Sequence, residues 1–546
     1  MRRPYKLLVG AAALSLLATA CGGEDDEGDE PSGEDGEQEE TAEDGEDAES
    51  MQGGTLRVYS NEPAFLVPTA ANDQPSILVI RQLYRGLVDY DADGSPVNDL
   101  AESIESEDNQ TWTITIKEGH TFTNGEPVDA DAFIRSWNYT ADGDNAQNNA
   151  YFQSRIVGFE ESQEGADELS GVTKVDDYTI EVELNEPFVG LPAILGYSGY
   201  FPVAQECLDN FEACNETPIG NGPYMIEGSW EHDVGITLVR NEDYAGDELA
   251  NPDSIEYVIF ADVQGAYAAF QANELDVMYF TPPERYEEIL STYADRVYDE
   301  PSNSFTYVGL PQYLEQFQNA DIRRALSMAI DRQSIIDAIF FGARTPATSV
   351  VYPGFDGGRE GICEYCEYDP ERAAQLLEDA GGWQWGELEL WANAGAGHED
   401  WMQAVGDQIR ENLGIDYTLH VDLDFPEYLE KLDSDDMTGA YRLGWGPDYP
   451  VPETYLAPLY ESDNTSNYSR YSNEQFDEAV AQGDTAPSLE EAIPFYQQAE
   501  DIIVDELPVI PMFWGQTTAV WSENVEEFVW NPINDPEYGQ MVMAQE

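Results

Sequence analysis

Four histidines, five cysteines and a large surplus of carboxylates are the groups of this chain with chemistry to offer. His120, His232, His398 and His420 build no H-E-x-x-H pair: His398 is followed by Glu399, Asp400 and Trp401, so no second imidazole falls on the same helix face. Gly196-Tyr197-Ser198-Gly199 brings its second glycine one place too early for a nucleophile elbow. Neither a Walker A loop nor a G-x-G-x-x-G turn occurs. Carboxylate pairs are everywhere among 110 Asp and Glu, so their presence carries no information about acid–base work. Asp89, Asp91, Asp93 and Gly94 match the first half of a calcium loop, but Leu100 stands where the bidentate acid belongs and Pro96 replaces an aliphatic residue; the stretch reads as a turn between strands. The residues therefore predict no catalytic centre, no metal site and no cofactor.

The elements around them are mixed. Trp112, Ile114 and Ile116 alternate with threonines over 111–116, a half-buried strand, and 178–184 and 255–260 repeat the pattern. Asp369-Pro370-Glu371 supplies an N-cap, an N1 proline and a first-turn acid; Ala373, Leu376, Leu377 and Ala380 keep one apolar face until Gly381-Gly382 ends the helix. Ile322, Ala325, Leu326, Ala329 and Ile330 predict a second helix over 321–340, stopped by Gly342. Strands and helices interleave without a strict βαβ series or internal repeat, which predicts an α/β protein with mixed sheets and several domains.

Composition excludes whole classes of partner. The 546 residues, 42% of them apolar, suffice for two or three domains with sizeable cores. A net charge of −87 repels nucleic acid and anionic lipid headgroups. Lysine occurs only at 6, 117, 174 and 431, and the acidity extends well beyond the tail at 24–50. That balance predicts adaptation to a salty exterior, where the Debye length is ~3 Å at 1 M.

Arg2, Arg3 and Lys6 precede an apolar run from Leu7 to Ala20. It is shorter than the about 20 residues that span a bilayer and reads as a signal peptide, residues 1–20. Ala18-Thr19-Ala20 before Cys21 resembles a bacterial lipobox, with Leu17 one place earlier than usual, so Cys21 is the expected site of lipidation; ordinary signal-peptidase cleavage is the alternative. Residues 21–52 then form an acidic, disordered tether. The remaining Cys207, Cys214, Cys363 and Cys366 predict two local disulfides in an exported chain, 207–214 and 363–366. A zinc site lacks the knuckle spacing at 207–214, and no thioredoxin-like pattern surrounds C-E-Y-C.

One series of segments runs through the chain: D-L-A-E-S at 99–103, T-W-T-I-T-I-K-E-G-H-T-F-T-N-G-E-P-V-D-A-D-A-F-I-R-S-W at 111–137 and P-I-G-N-G-P-Y at 218–224. A-A-F-Q-A-N-E-L-D-V at 268–277, R-R-A-L-S-M-A-I-D-R-Q at 323–333 and Y-D-P-E-R-A-A-Q-L-L-E-D-A-G at 368–381 continue the series, with W-G-P-D-Y-P at 445–450 and L-P-V-I-P at 507–511. In this order the segments resemble the family 5 extracellular solute-binding proteins, receptors of peptide-importing ABC transporters. The resemblance implies a periplasmic-binding-protein-like bilobed α/β fold with mixed sheets and three domains, closing by a hinge. Domain I would comprise 53–86, 203–303 and 510–546, domain II 87–202, and domain III 304–509, with ligand enclosed between I and III.

Oligopeptide-binding members carry an arginine, then Gly-Trp, then an aspartate. The resemblance places these on Arg442, Gly444, Trp445 and Asp448, with Asp448 meeting the peptide's α-ammonium and Arg442 a terminal carboxylate. Enclosing a zwitterion strips water from both ends, so each end needs an opposite, hydrogen-bonded partner. Six residues at ~3.3 Å each separate the two side chains by at most about 20 Å, a span that brackets a few extended residues. Gly444 offers backbone for an added strand, Trp445 a pocket wall, and Tyr151 a face from domain II. Gly446-Pro447 departs from the family pattern and reshapes the first pocket.

The expectation is a monomeric, non-enzymatic receptor, anchored by lipid at Cys21 to the outer face of the cytoplasmic membrane. It would capture short peptides and deliver them to a permease driven by a separate ATPase. The alternatives are the same fold binding an oligosaccharide or other small solute, and a secreted hydrolase.

Overall fold

Two thirteen-residue strands, Val297–Gly309 and Val509–Trp521, run antiparallel through the middle of the chain's largest sheet. This computed structural model describes residues 53–544 except 92, 93, 247–249, 396, 463, 532 and 534. The expected signal peptide, the tether with Cys21, and Asp93 lie outside the described residues.

On one side of the long pair lie Val277–Met278, Thr55–Ser60, Ser254–Ile259, Gly235–Arg240 and Tyr224–Ile226, in that order. On the other lie Ala440–Trp445, Leu388–Trp391 and Tyr417–His420. Parallel pairings (Thr55–Ser60 with Ser254–Ile259, Leu388–Trp391 with both its neighbours) mix with antiparallel ones. A separate antiparallel sheet orders Ala101–Ser106, Thr111–Ile116, Thr179–Glu183 and Val172–Asp176. Trp112, Ile114 and Ile116 point into its core, shared with Phe133 and Trp137 of helix Ala130–Ala141.

The long strands thread three cores. At one end Val520 packs with Leu56, Val58 and Tyr257; at the other Val308, Ile510, Met512 and Phe513 pack with Leu326, Leu390 and Trp401, while Phe305, Tyr307, Val509 and Trp514 join a third core with Tyr441 and Tyr455. Between these ends the pairing slips: Ser302 faces Gly515 and Phe305 faces Trp514, leaving Asn303 and Ser304 unpaired. Polar residues fill that middle stretch.

Helix Pro370–Asp379 starts at Asp369, whose carboxylate accepts from the Arg372 N–H, and is followed by Gly381 and Gly382 at φ +97° and +77°. The single helix expected over 321–340 is two helices, Ala320–Met328 and Arg332–Ile339. Apolar spacing runs through the break, but the Asp331 carboxylate accepts from the Ser334 N–H and caps a new helix. Asp89 and Gly94 flank the turn joining Val88–Tyr90 to Pro96–Asn98. Cys207 is bonded to Cys214 and Cys363 to Cys366, with Cα atoms 5.0 and 5.3 Å apart.

Candidate ligand-binding site

Strand Ala440–Trp445 pairs with the first long strand so that Arg442 faces Val308 and Trp445 faces Phe305. Pro447, Pro450 and Pro452 follow; without N–H groups to give, they end the ladder. The chain leaves the sheet here and carries Asp448 to the wall of a cleft of about 560 Å3. Its floor is the mid-strand stretch, Ser302–Ser304 with Gln516 and Thr517. Tyr90 and Tyr197 face the cleft from one side, Phe280 from another.

Asp448 is partly buried, and burial pushes its carboxyl up to about 6, against the opposing pull of the nearby Tyr151 hydroxyl. Among the described residues no Arg, Lys or His forms an ion pair with it. Tyr151 lies on the short 3-10 helix Ala150–Arg155 and is 50% exposed. Its ring packs tilted against Phe152 at 4.1 Å between centroids, and Phe152 stacks on Tyr197 at 3.9 Å, so three rings in a row support the hydroxyl near Asp448.

Arg442 and Gly444 form a second cluster on the same strand. The Arg442 guanidinium donates to Asn393 Oδ1 at 3.3 Å, while its Nε is buried without a partner. Burial holds its pKa below the ordinary arginine value. A Cβ at Gly444 would lie 3.5 Å from Arg442 Nη2 and 3.3 Å from the Phe305 carbonyl, so the glycine leaves the guanidinium its space. Beside it, burial and the Arg442 charge push His398 down to about 4. The imidazole is therefore neutral, and Nδ1 accepts from Trp401 Nε1 at 3.3 Å, which leaves the ring hydrogen on Nε2. Trp445 donates its indole N–H to the Thr454 carbonyl at 2.8 Å and packs against the core.

The fold thus joins Asp448 to Tyr151 and Arg442 to Gly444; Arg442, Gly444 and Trp445 are not among the residues lining the Asp448 cleft. Sequence reasoning missed His398, Tyr197 and Phe280. His398 was weighed only against a zinc motif, and the two aromatics sit in segments without periodicity. Their partial exposure in the fold is the signal that marks them.

Residues 95–467 match the family described as bacterial extracellular solute-binding proteins, family 5 Middle. The chain is 30% identical over 488 residues to the oligopeptide-binding protein OppA of Bacillus subtilis (strain 168), covering 85% of this chain and 88% of that one. It is 27% identical over 491 residues to the dipeptide-binding protein DppE of the same organism, covering 87% and 89%. Among solved structures, the unliganded open form of the murein tripeptide-binding protein MppA superposes with a TM-score of 0.79 at 24% identity, over 90% of this chain and 98% of that one. The likeness shows the periplasmic-binding-protein-like fold. The chain is a solute-binding protein, not an enzyme, and it belongs to the bacterial extracellular solute-binding proteins of family 5.

Proposed function

We propose that this protein captures short peptides outside the cytoplasmic membrane and passes them to an ABC permease. One observation carries the reading: Asp448, a partly buried carboxylate at a cleft wall, has no ion-pair partner among the described residues, and Arg81, which lines the same cleft, is engaged by Asp89 and Glu537. A ligand ammonium is the partner it lacks, because a carboxylate out of water without a counter-charge is unfavourable until one arrives. Arg442 and neutral His398 offer N–H donors to the opposite, carboxylate end. The names of the Bacillus relatives, oligopeptide- and dipeptide-binding, support the ligand class.

The proposed domains follow the boundaries set out above: 53–86, 203–303 and 510–546; 87–202; and 304–509. The mid-strand stretch where Ser302 faces Gly515 and two residues bulge is the place for their hinge. Peptide favours the closed form because only closure brings partners to both ligand ends. Lipidation at Cys21 keeps the receptor beside its permease.

Calorimetry with tripeptides and their N-acetylated and C-amidated forms tests this. Free tripeptides bind, and each modified form binds at least tenfold more weakly. Indifference to both modifications, with binding of uncharged oligosaccharides, overturns the peptide assignment.

A further inference from the structure

The cleft carboxylate is held by more than its own loop. Helix Ala150–Arg155 aims two side chains at one stretch of chain: Tyr151 at Asp448, and Arg155 at Glu453. Four residues of 3-10 helix at ~2.0 Å each set these two ties about 8 Å apart. Arg155 Nη2 lies 2.6 Å from Glu453 Oε1, and Glu453 is fully buried. The other carboxylate oxygen of Glu453 accepts from the Tyr449 hydroxyl at 2.6 Å, and Tyr449 is the residue after Asp448. The Phe188 ring lies 4.0 Å from the Arg155 guanidinium carbon, and the Asn185 N–H donates to the Arg155 carbonyl at 2.8 Å. Every component of this second tie is fixed from more than one side.

Such a pair is a poor investment for stability alone, since apolar replacements of a buried ion pair are often neutral or better. Its location supplies another reason. Both partners sit one short step behind the two groups that meet the ligand ammonium, and a charged site binds best when its geometry is set before the ligand arrives. Other acids face the pair. The Asp484 carboxyl accepts from the Tyr496 hydroxyl at 2.8 Å, and burial, together with the Glu453 charge, pushes its pKa up. Glu461 is raised by burial and by its neighbours Glu453 and Asp477, with Glu186 a further acid nearby and Arg155 opposing.

We propose that Arg155 and Glu453 are positioning residues of the ammonium site: acting through Tyr449 and the Ala150–Arg155 helix, their ion pair holds Asp448 and Tyr151 in register for a ligand's amino terminus. The inference rests on the peptide reading above.

The test compares the wild type with Arg155→Met/Glu453→Gln, Arg155→Lys, Tyr449→Phe and Asp448→Asn. Each full-length protein is offered an equimolar tripeptide mixture and its N-acetylated counterpart, with retained peptide quantified by mass spectrometry between pH 4.5 and 8. For the double variant, the preference for free amines falls about tenfold while retention of N-acetyl peptides is unchanged. Its midpoint of free-amine retention moves to higher pH, because Asp448 loses the hydroxyl that favours its ionised form. Tyr449→Phe, a far milder change, lowers the preference about threefold, and Arg155→Lys recovers most of it. A double variant, or a Tyr449→Phe protein, with wild-type preference and pH midpoint overturns the inference. So does equal loss of free and acetylated peptides, which marks a purely structural pair. If Asp448→Asn itself keeps the wild-type preference, or the wild type retains no peptide, the peptide reading is what fails.

Discussion

Arg332, buried, and Arg442, partly buried, have no carboxylate partner among the described residues, and they differ in how completely their N–H groups are used. Arg332, 4% exposed, donates to the carbonyls of Pro511, Ser327, Ile330 and Cys366 and to the Ser327 hydroxyl. Arg442 reaches Asn393 alone and leaves its Nε unused. Buried carboxylates divide the same way. Asp276 takes Arg57, Ser522 and Asn524, and Glu500 takes Arg359 with two backbone N–H groups, while Asp448 has one tyrosine hydroxyl. A buried polar group with its bonds complete is cementing the fold. Asp448, left incomplete at the cleft wall, and Arg442, left incomplete outside that cleft's lining, are the two groups the peptide reading uses.

That division breaks if the complete and the incomplete groups respond alike to mutation. Asp448→Asn removes the charge and keeps the shape. Losing a buried charge partner costs ~2–5 kcal/mol, on the order of 30- to 4000-fold in affinity for free peptides, measured by calorimetry. Its melting temperature should not fall. Arg332→Met does the opposite: it strands several buried carbonyls and lowers stability by about 3 kcal/mol or more, read from urea unfolding. Arg442→Met gives up little stability, because it removes a buried charge with donors already unsatisfied. Its affinity for free tripeptides falls about thirtyfold, while C-amidated peptides bind as before. Equal destabilisation by the two arginine substitutions would dissolve the comparison.

Acid sharpens it. Asp448 must be ionised to hold an ammonium, and burial pushes its carboxyl up to about 6. Free-peptide affinity is therefore level above that pH and falls about tenfold for each unit below it, until protonation is complete in the bound state as well. N-acetyl peptides show no such fall. The stability sign is reversed from that of a salt-bridged aspartate. The folded state binds the proton more tightly than the unfolded state, whose carboxyl sits near 3.9, so between about pH 4 and 6 this group removes stability as pH rises. Asp448→Asn should accordingly raise the melting temperature at pH 8 and leave it unchanged at pH 3.5.

Local patterns were legible wherever one core faced one element. The threonine–apolar alternation of 111–116 and the Asp369-to-Gly381 helix grammar needed nothing beyond neighbouring residues. The long strands defeat periodicity because their two ends serve different cores and their middles line the cleft: Val520 and Phe513 are both buried, yet Gln516 between them lines the cleft. Asp331 shows another limit, since one capping carboxylate overrides an apolar spacing that reads as continuous helix. At the site, Asp448 and Arg442 could be named from a motif, but the approach of Tyr151 to Asp448 spans nearly three hundred residues of chain. Only the fold creates that neighbour. The same holds for Arg155 and Glu453, two ordinary charged residues in a sequence crowded with acids.

His398 gives the smallest expected effect and the sharpest question about Arg442. Its neutrality depends on burial first and on that guanidinium second, and Trp401 takes up Nδ1, so one Nε2–H remains to donate. A single neutral donor to a carboxylate is worth less than a guanidinium, about 1 kcal/mol, or roughly fivefold in affinity. His398→Phe keeps the ring and loses the donor; it should weaken free tripeptides about fivefold at pH 7 and leave C-amidated ones untouched. In Arg442→Met the neighbouring charge is gone, and the His398 pKa should rise from about 4, a shift that proton NMR of the ring reads directly. An imidazole that stays put when the guanidinium is removed would mean the two do not share one carboxylate site.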